Sequence, residues 1–195
     1  AGLISSLWPL FLVVGADLIA RGRPGAGTTL GGLIAFGGIA FLAGPGGGFD
    51  IGDLPGHVCA LAAAFVWTAY SLACSRMEAV PTDSVTGFCI ATALLSALAH
   101  VVFEPSIWPQ TATAWLAVLA LGLGPVGSAF YLWDLGMKSG DIRILGFASF
   151  AAPILSTLLL VAAGKAEPGI GLAVACAAVG GGAALARLWP GRQRR

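Results

Sequence analysis

The chain has 195 residues, of which 57% are hydrophobic and only 10% are charged, and its mean hydropathy is +0.90. A soluble domain of this size carries about 25% charged residues, so ten Lys/Arg and nine Asp/Glu cannot coat it. The composition therefore predicts an all-α integral membrane protein embedded in a lipid bilayer. A net charge of +1 gives no reason to expect a nucleic-acid partner.

Clusters of glycine, proline and charged residues divide the chain into seven apolar spans. Each span is about 20 residues long, the length of a helix that crosses a bilayer core. Strands of a transmembrane barrel would be about 10 residues long and would alternate apolar with polar side chains. The predicted spans are residues 3–20, 28–44, 57–76, 84–103, 113–137, 143–163 and 169–187.

Basic residues between the spans lie almost entirely on one side of the predicted bundle. Nine of the ten Lys and Arg lie at one set of alternate span ends or in the tail, and Lys165 alone lies at the other. Lys and Arg favour the cytoplasmic side, so the C-terminus is predicted to be cytoplasmic. The nine are Arg21, Arg23, Arg76, Lys138, Arg143, Arg187, Arg192, Arg194 and Arg195.

Residues 2–40 and 146–184 share glycines, prolines and small residues at a constant offset of 144. The interval from Pro9 to Pro24 recurs from Pro153 to Pro168, and each interval spans a whole predicted helix. The offset places the first span on the sixth, so a repeat unit contains five spans. Because five is odd, the two copies have opposite orientations, as in the inverted repeats of secondary transporters.

Two complete repeats would make a ten-helix fold, of which seven helices are visible. Residues 1–50 then hold the last two transmembrane helices of repeat 1. Residues 51–195 hold repeat 2, with five transmembrane helices and a basic cytoplasmic tail. We expect about 90–95 residues with three further spans before Ala1, and the intact mass of the native protein tests this expectation.

Four stretches of the sequence carry motifs of a known family: residues 6–10 (SLWPL), 63–71 (AAFVWTAYS), 131–140 (YLWDLGMKSG) and 148–156 (ASFAAPILS). Together with the five-span inverted repeats, they resemble the drug/metabolite transporter (DMT) superfamily, in its EamA-type branch. The Leu-Trp-Pro and Phe-Val-Trp-Thr-Ala-Tyr pieces resemble most the bacterial aromatic amino-acid exporters of that branch. The resemblance covers essentially the whole chain.

The resemblance implies a secondary transporter in the bacterial inner membrane that exports small metabolites by alternating access. For the exporter branch, the substrates would be aromatic and other apolar amino acids, held in a cavity between the repeats. The sequence differs from the usual family pattern in two places. The turns at residues 21–24 (RGRP) and 165–168 (KAEP) replace a frequent Gly-Glu pair, and Asp134 stands where Asn is common.

Trp67, Tyr70 and Ser71 stand at i, i+3 and i+4, so they share one helical face. Aromatic rings can stack on a flat substrate, and a hydroxyl can hydrogen-bond a zwitterion. The alternative is bundle packing or an aromatic belt at the membrane interface, and the position of Trp67 near mid-span disfavours the belt. We predict that these three residues bind substrate, and the resemblance strengthens that prediction.

Pro9 and Pro153 occupy matching positions in the two repeats, each inside a predicted helix. Proline frees a backbone carbonyl and bends a helix, so paired kinks could shape a site near the midplane. Kinks that only help packing are the alternative. Trp8, beside the first kink, and Ser149, before the second, are predicted substrate contacts, Trp8 chiefly through the Leu-Trp-Pro resemblance.

Asp134 is a carboxylate inside an apolar span, where acids are costly and often functional. It and Tyr131, from the same motif, are predicted to contact substrate. The alternative for Asp134 is an ion pair with Lys138, four residues on. Asp17 and Arg21 have the same spacing, and an ion pair is the preferred interpretation there.

No catalytic or cofactor motif is evident. The four cysteines are scattered, no His-Glu-x-x-His or Ser/His arrangement occurs, and residues 122–127 (GLGPVG) fit a nucleotide pattern only inside an apolar span. Close helix packing or a bend explains these glycines better. Gly27, Gly31, Gly32, Gly180 and Gly182 suggest close packing too, or a contact in a homodimer.

We therefore predict a transporter that has no cofactor or metal and is not an enzyme. An exporter of a different substrate class and a non-transporting membrane scaffold are the alternatives. A drug or polyamine exporter would favour several buried acids, whereas the spans offer only Asp17 and Asp134.

Overall fold

The structure is a computed structural model that describes residues 2–43 and 51–189, and every regular element in those ranges is helical. Residues 45–50 of the Gly-rich connection and the tail arginines Arg192, Arg194 and Arg195 lie outside the described residues. The helices are α1 (Gly2–Ser5), α2 (Trp8–Arg21), α3 (Ala26–Ala43), α4 (Leu54–Cys74), α5 (Ser84–Phe103), α6 (Ala112–Leu121), α7 (Ala129–Ser139), α8 (Ile142–Ser149), α9 (Ala151–Ala162) and α10 (Ile170–Leu188). A 3₁₀ turn (Ile51–Asp53) precedes α4, and a π-helix (Gly122–Ser128) joins α6 to α7.

Seven helical stretches of the described chain are long and apolar enough to cross a membrane. Each matches one predicted span to within three residues at either end, so the predicted all-α fold with seven spans is confirmed. The protein is a multi-pass membrane protein. The stretches are Leu3–Arg21, Ala26–Ala43, Leu54–Cys74, Ser84–Phe103, Ala112–Ser139, Ile142–Ala162 and Ile170–Leu188.

The described parts of residues 1–73 and 140–195 form one compact unit. Side chains from α2, α3, α8, α9 and α10 meet in its core. Each of these helices buries one side there, and the rest of its surface is apolar enough to face lipid. The buried core residues are Leu10, Val13, Ala35, Ile39, Phe147, Phe150, Ile154 and Ala175.

The tightest helix packing in this unit joins α3 to α10. A Cβ added at Gly31 would collide with the carbonyl oxygen of Gly182, and one added at Gly182 would collide with that of Gly31. Small residues let two membrane helices approach this closely. The predicted close packing of these glycines is thus present within one chain, whereas an added Cβ at Gly180 meets no atom within 4 Å.

Neighbouring residues along α3 and α10 show that the two helices run antiparallel. Moving forward along α3, the contacts move backward along α10: Gly27 lies beside Trp189, Gly31 beside Gly182, Gly38 beside Ala175, and Leu42 beside Gly171. The offset of 144 converts the pair Gly31 and Gly182 into Ala175 and Gly38, which are also in contact. The contact between these two helices therefore has an approximate two-fold symmetry that follows the sequence repeat.

The first and sixth spans each contain a helix break three residues or fewer before the proline. The first span breaks at Ser6 and Leu7, between α1 and α2, and the sixth breaks at Phe150, between α8 and α9. At each break one N–H donates to a carbonyl three residues back, Leu7 to Ile4 and Phe150 to Phe147, both at 3.1 Å. A tightened turn of this kind is expected where proline removes a helical hydrogen bond.

Residues 74–139 form a second compact unit that contains α5, α6, the π-helix and α7. Pro125 lies inside the π-helix, where the Ala129 N–H reaches back five residues to Gly124 and the Ser128 hydroxyl donates to the Leu123 carbonyl. The glycine pattern at residues 122–127 is therefore helical throughout and is not a strand-to-helix nucleotide turn.

Candidate functional site

Three half-buried aromatic side chains meet in the first unit: Trp8 on α2, and Trp67 and Tyr70 on α4. The Trp8 and Trp67 ring centroids lie 6.0 Å apart at an interplanar angle of 88°. The Trp67 and Tyr70 centroids lie 5.5 Å apart at 33°. These distances are typical of favourable aromatic pairs. The structure thus brings together three of the predicted substrate contacts, here called the aromatic cluster.

A hydrogen bond from Thr68 links the two helices that carry the aromatic cluster. Trp8 is the first residue of α2, directly after the break at Ser6 and Leu7. The buried hydroxyl of Thr68 donates to the Ala64 carbonyl at 2.8 Å and to the Trp8 carbonyl at 3.2 Å. Thr68 therefore links the backbone of α2 to α4, a role that the aromatic pattern did not reveal, although its position between Trp67 and Tyr70 could have suggested it.

The aromatic cluster borders the buried face of α4. Ala64, Thr68, Ser71 and Cys74 recur every three or four residues and are almost fully buried. This period places Trp67 and Tyr70 at the edge of the buried face, so part of each ring stays accessible. Their half-buried state suits a surface on which an apolar ligand stacks.

The two predicted serine contacts use their hydroxyls within their own helices. Ser71 is fully buried and donates to the Trp67 carbonyl at 2.8 Å. Ser149 is half-buried and donates to the Leu145 carbonyl at 2.7 Å. Such bonds to the carbonyl four residues back satisfy a hydroxyl inside a membrane and often bend the helix. Ser149 lies at the end of α8, directly before the break at Phe150.

Tyr131 and Asp134 lie on α7, which belongs to the second unit. They are therefore not among the residues of the aromatic cluster, which lies in the first unit. Asp134 is buried, and Lys138 donates to its Oδ2 at 2.6 Å. Lys138 also donates to the Val80 carbonyl at 2.8 Å. The ion pair predicted as the alternative role of Asp134 is thus present, and a contact of Asp134 with substrate stays a prediction.

Tyr131 borders a groove of about 560 Å³ within the second unit. Its hydroxyl donates to Asp83 Oδ1 at 3.2 Å. Thr86 and Ser128 place further hydroxyl groups along a largely apolar wall that includes Cys89. The groove follows the irregular backbone of the π-helix, a feature that often accompanies functional sites.

The ion pair between Asp134 and Lys138 on α7 predicts which of two variants is the less stable. Lys138→Gln leaves the buried Asp134 carboxylate without its cation and should cost roughly 3 kcal/mol. Asp134→Asn should cost less, because Lys138 keeps its bond to the Val80 carbonyl. In detergent, the melting temperature of purified Lys138→Gln should therefore be lower than that of Asp134→Asn. The reverse order would contradict a structural ion pair, and unimpaired transport by Asp134→Asn would remove Asp134 from the substrate contacts.

Residues 54–188 match the EamA-like transporter family, which is well over half of the chain. The chain belongs to the EamA-like transporter family. This confirms the resemblance to the DMT superfamily that the four sequence motifs suggested. Membership of a transporter family also agrees with the prediction that the chain is not an enzyme.

Two proteins named "Aromatic amino acid exporter YddG" are similar to this member of the EamA-like family. The protein from Ancylobacter novellus is 51% identical over 191 residues, which are 96% of this chain and 66% of that protein. The protein from Salmonella typhimurium is 25% identical over 170 residues, which are 81% of this chain and 56% of that protein. The resemblance to the exporter branch is thus confirmed as a sequence relationship.

A solved crystal structure superposes on this chain with a TM-score of 0.89 and 51% sequence identity. The superposition covers 96% of this chain and 65% of the solved chain. The chain therefore spans slightly less than two thirds of the length of the first relatives it matches, both in sequence and in structure.

Proposed function

We propose that the protein exports aromatic and other apolar amino acids across the bacterial inner membrane by alternating access. The observation that carries this proposal is the 51% identity, over 96% of the chain, to a protein named as an aromatic amino-acid exporter. The EamA-like family match supports the broader class of membrane transporter.

The aromatic cluster supports the choice of substrate class. The edge-on arrangement of Trp8 and Trp67 and the tilt of Tyr70 leave three ring surfaces of different orientation close together. An indole or phenyl ring of a substrate can stack on one surface and contact the edge of another.

The proposed organisation has two inverted repeats, with residues 1–50 as the last two helices of repeat 1 and residues 51–195 as repeat 2. The antiparallel contact between α3 and α10, which are equivalent under the offset of 144, supports this organisation. So do the two helix breaks at equivalent positions, Ser6 and Phe150. A homodimer is also part of the proposal.

The C-terminus is proposed to be cytoplasmic. Among the described residues, Arg21, Arg23, Arg76, Lys138, Arg143 and Arg187 lie at one set of helix ends. Lys165 lies between α9 and α10, at the opposite set of ends. The excess of basic residues on the first side supports its assignment to the cytoplasm.

Efflux from proteoliposomes tests the proposed function. The native protein that contains this chain is reconstituted, the vesicles are loaded with labelled Phe, Trp or Thr, and release is compared with protein-free vesicles. We expect release of Phe and Trp at rates about tenfold or more above the protein-free rate. A cationic dye should not be released faster. Release of the dye without any amino acid would assign a different substrate class, and release of neither would favour a membrane scaffold.

A further inference from the structure

The carboxylate of Asp17 is fully buried near the end of α2 and has partners on three segments. Arg143, in the first turn of α8, places Nη2 2.5 Å from Oδ1. The Gly25 N–H, in the turn after α2, donates to Oδ2 at 2.9 Å. Arg21, on α2 itself, places Nε 3.9 Å from Oδ1. Of these three partners, only Arg143 connects Asp17 to a different membrane span.

The turn after α2 is built around this carboxylate. A Cβ added at Gly25 would lie 2.6 Å from Asp17 Oδ2, so a larger residue there would displace the carboxylate. At the start of α8, Asp141 caps the helix by accepting the N–H of Arg143 at 2.8 Å and of Ile144 at 3.3 Å. Both sides of the ion pair between Asp17 and Arg143 are therefore held by local backbone contacts.

Packing behind this ion pair closes one end of the two kinked spans. Gly146 on α8 lies directly against Val13 on α2, and Val13 is fully buried. The two spans are thus packed together at the end that carries Arg21 and Arg143.

We propose that the ion pair between Asp17 and Arg143 is a latch that holds the arginine-bearing end of these two spans closed, and that it opens in each transport cycle. The inference rests on the proposed alternating-access function, in which the two ends of the site open in turn. Arg143 remains about one third exposed, so water can replace its partner when the spans separate. Asp17 and Arg143 are positioning residues that act on the conformational equilibrium rather than on the substrate.

A cysteine at position 13 reports whether this end is closed. The native cysteines of the protein are first replaced by alanine, and Val13→Cys is then labelled with a membrane-impermeant maleimide in inside-out and right-side-out vesicles. With the latch intact, this cysteine should be protected. Asp17→Asn or Arg143→Gln should each speed its labelling about tenfold or more, from the arginine-bearing side only, which corresponds to ~1.4 kcal/mol.

Arg21→Gln is the matched control, because it removes a positive charge near the same carboxylate without breaking the contact between α2 and α8. Labelling of Val13→Cys should then change less than about twofold. Ile39→Cys is the second reporter, since Ile39 is buried in the core on α3 away from the latch. It should stay protected in all variants.

Two results would overturn the latch. Continued protection of Val13→Cys in both Asp17→Asn and Arg143→Gln would show that other contacts close this end. Labelling of both reporter cysteines in the latch variants would show that the ion pair only stabilises the fold. The labelling needs no substrate, so it can fail or succeed independently of the proposed amino-acid transport.

Discussion

Replacing Gly31 with leucine should lower the melting temperature of the protein in detergent by about 5–10 °C. Even a methyl group at this position would overlap the Gly182 carbonyl oxygen and lie 3.4 Å from the Ala186 side chain. Because one obstacle is backbone, no side-chain rotation can relieve the overlap, and α3 and α10 must move apart. Overpacking of this kind costs about 1–3 kcal/mol and sometimes more.

Separation of α3 and α10 is especially costly inside a bilayer. Apolar side chains gain little by leaving lipid for protein, so helix association depends on close packing. The overlap is reciprocal, since Gly182 meets Gly31 in the same way. Gly182→Leu should therefore lower the melting temperature to a similar degree, and the double variant should lose less than the two single losses combined.

Gly37 supplies the control on the same helix. An added Cβ there meets no atom within 4 Å, and the residue is exposed. Gly37→Leu should melt at or slightly above the temperature of the unaltered protein, because leucine has a higher helix propensity than glycine. Equal melting of Gly31→Leu and Gly37→Leu would contradict the close contact between α3 and α10.

The seven spans were predictable because local properties of the sequence mark each of them. These properties are the length of the apolar stretch and the glycine, proline and charged residues at its ends. The break at Phe150 followed from Pro153 for the same reason, since proline acts on the carbonyl four residues before it. The antiparallel relation of α3 and α10 was anticipated through the odd number of spans in the repeat. Each of these features can be predicted from the sequence of a single helix, or from a comparison of the sequence with itself.

Long-range partners were less predictable. The spacing of Asp17 and Arg21 predicted an ion pair, and the two side chains are 3.9 Å apart at their closest charged atoms. The shorter contact of Asp17 is with Arg143, which no local pattern could identify. The glycines show the same limit, because the sequence suggests close packing for both Gly180 and Gly182, and only Gly182 lies against a neighbouring helix.

Some contacts of the aromatic cluster were likewise predictable from the sequence, and others were not. The helical spacing placed Trp67 and Tyr70 on one face, and the structure brings their rings to 5.5 Å. The contact of Trp67 with Trp8 joins two helices, and no sequence pattern predicts it, because the resemblance of the Leu-Trp-Pro motif to a family indicates only that Trp8 contacts substrate. Spacing alone also could not show that the Ser71 hydroxyl donates to the Trp67 carbonyl.

Trp67→Ala should raise the KM for tryptophan efflux about 10–30-fold, which is the largest effect we expect on transport from one substitution. Trp67 is the central ring of the aromatic cluster, because it contacts both Trp8 and Tyr70. Truncation of a central aromatic contact costs about 2 kcal/mol, and each 1.4 kcal/mol is about tenfold in affinity. Trp67→Phe keeps a ring in the same place and should raise KM less than about threefold.

Phe65→Ala separates loss of substrate stacking from loss of helix packing. Phe65 lies on the same helix as Trp67 and stacks on Phe11 of α2 with ring centroids 4.5 Å apart, so its removal also deletes an aromatic contact between α2 and α4. It lies outside the aromatic cluster and is 52% exposed. We expect Phe65→Ala to leave KM unchanged, measured by efflux over a range of internal tryptophan concentrations. An equal rise of KM in Phe65→Ala and Trp67→Ala would mean that Trp67 acts by positioning α2 on α4, and an unchanged KM in Trp67→Ala would place the substrate elsewhere.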